Sequence, residues 1–92
     1  MRHTLAIQNI YNGLIQKYQF DLSALHENQA PDTTRFFMLE KHRESMTYKL
    51  DWLAQMAAEL GEGEMAGEIL THAANLGADG VMPKPMLLTM EA

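Results

Sequence analysis

Histidines and carboxylates are the residues of this sequence that could bind a metal ion or transfer a proton. Glu68 and His72 are four residues apart and would share one face of a helix, and Glu40 lies two residues before His42. Carboxylate-bridged di-metal sites use Glu-x-x-His motifs on separate helices, and zinc-protease helices carry His-Glu-x-x-His. Neither motif occurs in the chain. The sequence therefore predicts no metal site and no cofactor.

Nucleophilic catalysis and phosphate binding also lack their usual motifs. The chain contains no cysteine, and Ser23 and Ser45 do not lie in the Gly-x-Ser-x-Gly context of a nucleophile elbow. The glycines that could form a phosphate loop are next to Glu62 and Glu64, whose negative charge would repel a phosphate group. At the start of a helix those carboxylates have a structural explanation, because negative charge is favourable there. We therefore predict that the protein is not an enzyme.

Basic residues in the middle of the chain are the candidate contacts for a nucleic acid. They are Arg35, Lys41, Arg43 and Lys49. Glu40 and Glu44 are interleaved with them and can neutralise them within one helix. The isoelectric point near 5.2 is also far from the basic value typical of DNA- and RNA-binding domains. A small nucleic-acid-binding regulator is therefore kept as an alternative function.

Negative charge is concentrated in the second half of the chain. Residues 1–50 carry a net charge of +1, whereas residues 51–92 carry −6. Acidic residues gather around one turn: Glu59, Glu62, Glu64 and Glu68. Such a cluster keeps a small protein soluble or presents an acidic face to a partner. A second alternative function is an acidic mimic of nucleic acid that blocks a nucleic-acid-binding protein.

Aromatic and methionine side chains give the strongest indication of a binding surface. The chain has eight methionines, and methionine is common at adaptable protein-binding surfaces. Tyr48 and Trp52 form a pair four residues apart, and both residue types often dominate interfaces, although both also fill cores. The predicted protein interface consists of Tyr48, Trp52, Met56, Glu62, Glu64, Glu68, Met82, Met86, Leu87 and Met90.

Helices position these residues, because apolar side chains recur at helical spacing and no strand-like alternation is present. The predicted segments of this single all-α domain (residues 1–92) are an amphipathic helix over 4–19, a short helix over 21–28, a long helix over 33–60, a short helix over 63–76 and an extended apolar tail over 78–92. The long and short helices form a helical hairpin around Gly61. The sequence thus predicts a small helical bundle built on this hairpin.

The long helix predicts a homodimer. The 26 residues from Arg35 to Leu60, which include no glycine or proline, would measure roughly 39 Å, whereas a compact domain of this size is only a little over about 30 Å across. Apolar residues follow each other in heptad-like steps from Leu39 to Leu60, with Arg43 in the same row. Either the fold is elongated, or a second copy covers the excess. We expect a second copy.

The cellular setting is predicted from absences in the sequence. No segment approaches the roughly 18 apolar residues that span a bilayer, and the residues after Arg2 do not resemble a secretory signal. The absence of cysteine fits a reducing compartment. We expect a cytoplasmic protein, not a membrane protein, that binds another protein as an adaptor, inhibitor or regulatory accessory factor. Its apolar tail is expected to dock on its own dimer, or otherwise on that partner.

Overall fold

The computed structural model describes residues 3–27 and 31–84, and its regular structure is helical. The helices are α1 (Thr4–Glu27), α2 (Asp32–Glu59) and α3 (Gly63–Asp79). No strand occurs in these two ranges, so the predicted all-α class is confirmed. Among the residues described, no helix combines the length and the apolar character needed to cross a membrane.

The first helix is continuous where the sequence predicted two helices, over 4–19 and 21–28. Asp21, the first residue of the second predicted helix, lies inside α1. Its carboxylate accepts a hydrogen bond from Lys17 Nζ, one turn earlier, at 3.0 Å. Neither glycine nor proline occurs near this point, so nothing interrupts the backbone hydrogen bonds of the helix. The predicted break is therefore wrong.

A glycine in the left-handed conformation ends α2. Gly61 has φ +84°, and its N–H donates to the carbonyl of Ala58 while the N–H of Glu62 donates to the carbonyl of Ala57. These two bonds form a Schellman motif, which glycine favours because it has no Cβ to resist this conformation. The helix matches the predicted 33–60 to within one residue at each end.

The third helix continues three residues beyond the predicted end at residue 76. Gly77 is helical, and the left-handed residue is Gly80, with φ +68°. The N–H of Gly80 donates to the carbonyl of Leu76 at 3.0 Å, which satisfies one of the last carbonyls of the helix. Glycine alone did not identify the terminus, because two glycines lie close together there. The predicted tail consequently begins after Asp79 rather than at residue 78.

The core consists of one face from each helix. It contains Ile7, Tyr11, Ile15, Tyr18, Met46, Leu50, Leu53, Ala54, Ala57, Met65, Ala66, Ile69, Ala73 and Leu76. Four of these residues are alanines on α2 and α3, and small side chains let helices approach each other closely. Among the described residues, no charged or polar side chain outside the tyrosines is buried. The bundle is therefore held together by apolar packing.

The middle of the heptad-like row of α2 lies in this core, whereas Leu60 at its end is exposed. Met46, Leu50, Leu53 and Ala57 are all buried within the chain, because α1 and α3 both pack against α2. The row that predicted a seam between two copies is thus already covered by helices of the same chain. A second copy would have to use a different face of α2.

The described residues are elongated, measuring 50 × 23 × 17 Å. The 28 residues of α2 account for about 42 Å of this length. The last turn of α3 lies beside the middle of α2, since a Cβ placed on Gly77 would be 3.5 Å from the Thr47 side chain. The first turns of α2 therefore extend past the end of α3.

The segment after α3 folds back onto α1. Pro83 is buried, and the hydroxyl of Tyr11 donates a hydrogen bond to the carbonyl of Lys84 at 2.9 Å. The beginning of the predicted tail thus contacts its own chain. Residues 85–92, which include the predicted interface residues Met86, Leu87 and Met90, lie outside the described residues.

Replacing Tyr11 with phenylalanine is expected to lower the free energy of unfolding by about 0.5–1.5 kcal/mol, because the part-buried hydrogen bond to the Lys84 carbonyl is lost. Burial, with a contribution from the charge of Glu68, raises the pKa of Tyr11 from 10.0 to about 12. Since the folded pKa is the higher one, the neutral phenol stabilises the fold below pH 10, and this stability is lost as the pH rises through 12. Urea unfolding followed by circular dichroism between these pH values measures both effects.

The matched control for Tyr11 is Tyr48→Phe, which removes the hydroxyl of an exposed tyrosine. The control should unfold like the wild type at every pH. The Tyr11→Phe variant should lose less stability than the wild type between pH 10 and pH 12. Equal losses in the wild type and the Tyr11→Phe variant would show that the fold does not raise the pKa of Tyr11.

Candidate protein-binding surface

The histidine–carboxylate pairs of the sequence take part in contacts between and within helices. The ring of His72 lies 6.0 Å from the ring of Tyr11, centroid to centroid, and links α3 to α1. Glu40 accepts a hydrogen bond from Arg43 at 2.7 Å. In the two described ranges, no three histidine, aspartate or glutamate side chains are close enough to hold a metal ion together.

Two of the four candidate nucleic-acid contacts are paired with carboxylates. Arg35 donates to Asp32 at 2.6 Å, and Arg43 donates to Glu40 at 2.7 Å. Both pairs lie within α2, at a spacing of three residues, which brings side chains together on a helix. These arginines therefore offer a phosphate less positive charge than their number suggests.

The four basic side chains also point in different directions. Lys49 lies beside α1, in a cleft that it shares with Lys17, whereas Arg43 reaches the end of α3 beside Gly80. Lys41 lies over the ring of Phe37, with Nζ 5.6 Å from the centroid. The structure does not bring these residues together into one basic face.

The predicted acidic residues differ in their surroundings. The hydroxyl of Thr4 donates to the carboxylate of Glu62, which joins the start of α1 to the turn between α2 and α3. This hydrogen bond lowers the pKa of Glu62, since it favours the charged form. Glu64 and Glu68 are exposed on α3. Glu62 therefore helps to join α1 to the turn between α2 and α3.

Tyr48 and Trp52 lie outside the core. The exposed fraction is 75% for Tyr48 and 58% for Trp52, and both point away from α1 and α3, about half a turn of helix from the buried row. Met56 is partly buried against the core, and Met82 is partly exposed. The choice that the sequence left open for this aromatic pair, between core and surface, is resolved in favour of the surface.

Tyr48 and Trp52 belong to a longer row on the outer face of α2. Steps of four and three residues connect six exposed side chains, which we call the outer stripe: Lys41, Ser45, Tyr48, Trp52, Gln55 and Glu59. At about 100° per residue, these six positions span only about 80° of the helix circumference. The aromatic pair is thus the centre of a narrow stripe with a basic residue at one end and an acidic residue at the other.

A search of the sequence for apolar periodicity misses this stripe. Four of its six residues are polar or charged, so only Tyr48 and Trp52 contribute to a hydrophobic pattern. Its 4–3 spacing runs in parallel with the buried row on the same helix. Because both rows of α2 have the same spacing, the sequence alone does not separate them. The structure separates them by showing which row is buried.

A groove of about 340 Å³ lies next to the stripe. It runs between α2 and the end of α3, and its lining consists of Arg43, Glu44, Thr47, Tyr48, Asp51 and Gly77. Tyr48 belongs to the outer stripe and also lines the groove. The outer surface of α2 therefore combines an aromatic ridge with an adjoining polar groove.

In residues 3–27 and 31–84, the fold is a small bundle of three helices with exposed aromatic side chains on the longest one. The chain matches no family model, no curated protein and no solved structure. The role of the outer stripe is therefore inferred from its own residues.

Proposed function

We propose that this protein is a non-catalytic binding protein that docks on another protein through the outer stripe of α2. An adaptor, an inhibitor and a regulatory accessory factor all act in this way. The observation that carries the proposal is the exposure of Tyr48 and Trp52 side by side on a helix whose opposite face is packed. The outer stripe lies on α2, the longer helix of the α2–α3 hairpin. We propose that the protein acts in the cytoplasm.

Exposed aromatic pairs favour binding for an energetic reason. Each aromatic side chain buries a large apolar area when it is covered, and it loses little conformational freedom because it has few rotatable bonds. Tyr48 and Trp52 are flanked by Lys41, Gln55 and Glu59. An aromatic centre with a polar rim is the usual composition of a protein interface.

The proposal is tested by replacing both aromatic residues, in the double variant Tyr48→Ser/Trp52→Ser. Exposed substitutions of this kind usually change stability by less than about 0.5 kcal/mol, so the variant should remain folded. Tagged wild-type and variant chains are used for affinity capture from a lysate of the source organism, and the captured proteins are quantified by mass spectrometry. The variant should capture each specific partner in an amount at least about tenfold lower than the wild type does, since interface aromatics contribute about 2 kcal/mol or more to the binding free energy.

Phe20→Ser is the matched control for this capture experiment. Phe20 is 72% exposed and lies on α1, opposite its buried face, so the substitution removes a comparable aromatic side chain from a different surface. The control should capture the same proteins as the wild type. Loss of partners from both variants alike would refute a binding site on α2.

Nucleic-acid binding and acidic mimicry receive less support. The basic residues diverge, and two of them are paired with carboxylates. Glu62, from the acidic cluster, is engaged by Thr4. A gel-shift titration that starts at low salt tests nucleic-acid binding, because a nucleic-acid complex would weaken steeply as salt is added. We expect no shift.

A further inference from the structure

We propose that the outer stripe of α2 binds the same stripe of a second copy of this chain, with the two helices antiparallel and related by a two-fold axis at the level of Leu50. This inference rests on the proposed function, because it identifies a protein that occupies the same surface. It differs from the dimer expected from the sequence, which used the row that the structure shows to be buried.

The spacing of the stripe matches the seam of a two-stranded coiled coil. Its six residues follow each other at intervals of four, three, four, three and four, which is the alternation of the two seam positions in a heptad. Between Lys41 and Glu59 the seam is about 27 Å long. All six side chains are exposed in the single chain, so a partner helix can reach each of them.

The stripe is complementary to itself when it is reversed. Lys41 lies nine residues before Leu50 and Glu59 lies nine residues after it. Tyr48 and Trp52 lie two residues before and after the same point. A two-fold axis there places Lys41 opposite the Glu59 of the second copy, and Tyr48 opposite its Trp52, each of them twice.

The remaining pair of the seam, which lies between the aromatic and the charged pairs, is equally consistent with this arrangement. Ser45 and Gln55 are five residues to either side of Leu50, so two polar side chains that can hydrogen-bond face each other. In every one of the three pairs, one residue occupies one seam position of the heptad and its partner occupies the other. That alternation is what an antiparallel pair of helices requires.

Charge favours the antiparallel pair over the parallel one. A parallel pair would place Lys41 beside Lys41 and Glu59 beside Glu59, and like charges at a helix seam are unfavourable. The antiparallel pair instead places each Lys41 beside a Glu59 of the other copy, so that both charged contacts are attractive. Asp51 would approach its own copy near the axis, but it lies on the flank of the stripe, where water and salt screen like charges.

Lys41 is already oriented towards the seam in the single chain. Its Nζ lies over the ring of Phe37, one turn earlier on the same side of α2. A cation held against an aromatic ring loses less freedom when it pairs with a carboxylate. The Phe37 ring therefore supports the end of the seam.

The first experiment measures mass by sedimentation equilibrium of the full chain from low to high micromolar concentration. The wild type should approach twice its 10.4 kDa chain mass. Lys41→Glu and Glu59→Lys should each weaken the dimer about tenfold, because each creates two like-charge contacts. Combining the two reversals in one chain should restore wild-type association, and Tyr48→Ser/Trp52→Ser should abolish it.

The second experiment determines the direction of pairing by disulfide formation. The wild-type chain has no cysteine, so crosslinks come only from introduced thiols. A mixture of the Lys41→Cys and Glu59→Cys variants should form a disulfide-linked heterodimer under mild oxidation. Neither variant alone should form one, because residues 41 of the two copies are about 27 Å apart in the antiparallel pair.

The outcomes separate this inference from the proposed function. A wild-type mass of 10.4 kDa at every concentration, or crosslinking of each cysteine variant with itself, overturns the antiparallel dimer. Failure of the double charge reversal to restore association overturns it as well. If the chain is a monomer but Tyr48→Ser/Trp52→Ser still loses captured partners that Phe20→Ser retains, the stripe binds a different protein and the proposed function stands.

Discussion

Leu50→Ala is expected to lower the free energy of unfolding by about 2–5 kcal/mol, because it leaves a cavity that the surrounding helices fill only in part. Leu50 has no exposed surface and belongs to the core cluster formed by all three helices. Small domains have a total stability of about 5–15 kcal/mol, so this single change removes a large part of it. Urea unfolding monitored by far-ultraviolet circular dichroism measures the loss.

Leu70→Ala is the matched control for the Leu50 cavity. Leu70 is 48% exposed on α3, so the same three carbons are removed from the surface and alanine favours the helix. The control should change stability by less than about 0.5 kcal/mol. A similar, small loss in both variants would mean that Leu50 does not lie between the helices.

Ala73→Leu is expected to destabilise the protein by about 1–3 kcal/mol through overpacking. Ala73 has no exposed surface, and the core of α2 and α3 includes alanines on both helices, so the helices lie close together. Leucine adds three carbon atoms at this position and must displace its neighbours. The same unfolding measurement detects the change, and heteronuclear NMR spectra should show shifted signals in both helices.

Ala74→Leu tests the cause of that loss. Ala74 is the next residue of α3 and is exposed, so its substitution changes helix propensity by only a few tenths of a kcal/mol at most and fills no packed space. We expect nearly wild-type stability. If Ala74→Leu were as destabilising as Ala73→Leu, helix propensity rather than packing would be responsible.

The sequence predicted the helical class and most helix positions because these depend on local signals. Gly61 identified the end of α2 through the conformation that its backbone adopts. The break predicted at Asp21 failed because its side chain had two local options, to cap a new helix or to pair with Lys17, and it takes the second. Choosing between them depends on α2, since packing of α1 against α2 stabilises one long helix.

The candidate surface was harder to predict because α2 carries two rows of similar spacing. The sequence supports a heptad-like row through Leu50 and an aromatic pair at Tyr48 and Trp52, but it does not state which side the other helices cover. That depends on contacts between α2 and both α1 and α3. Similarly, Glu62 could be recognised as acidic, but its bond to Thr4 joins residues that are 58 positions apart.

The position of Trp52 has a practical consequence for spectroscopy. It is the one tryptophan of the chain, and it lies on the outer stripe, with more than half of its surface in contact with solvent. Its fluorescence emission therefore reports what covers α2, and moves to shorter wavelength when a partner excludes water from the indole. When nothing covers the outer stripe, unfolding leaves the indole in water and changes the emission little, so Trp52 is an intrinsic optical probe that responds more to binding than to the folding of a single chain.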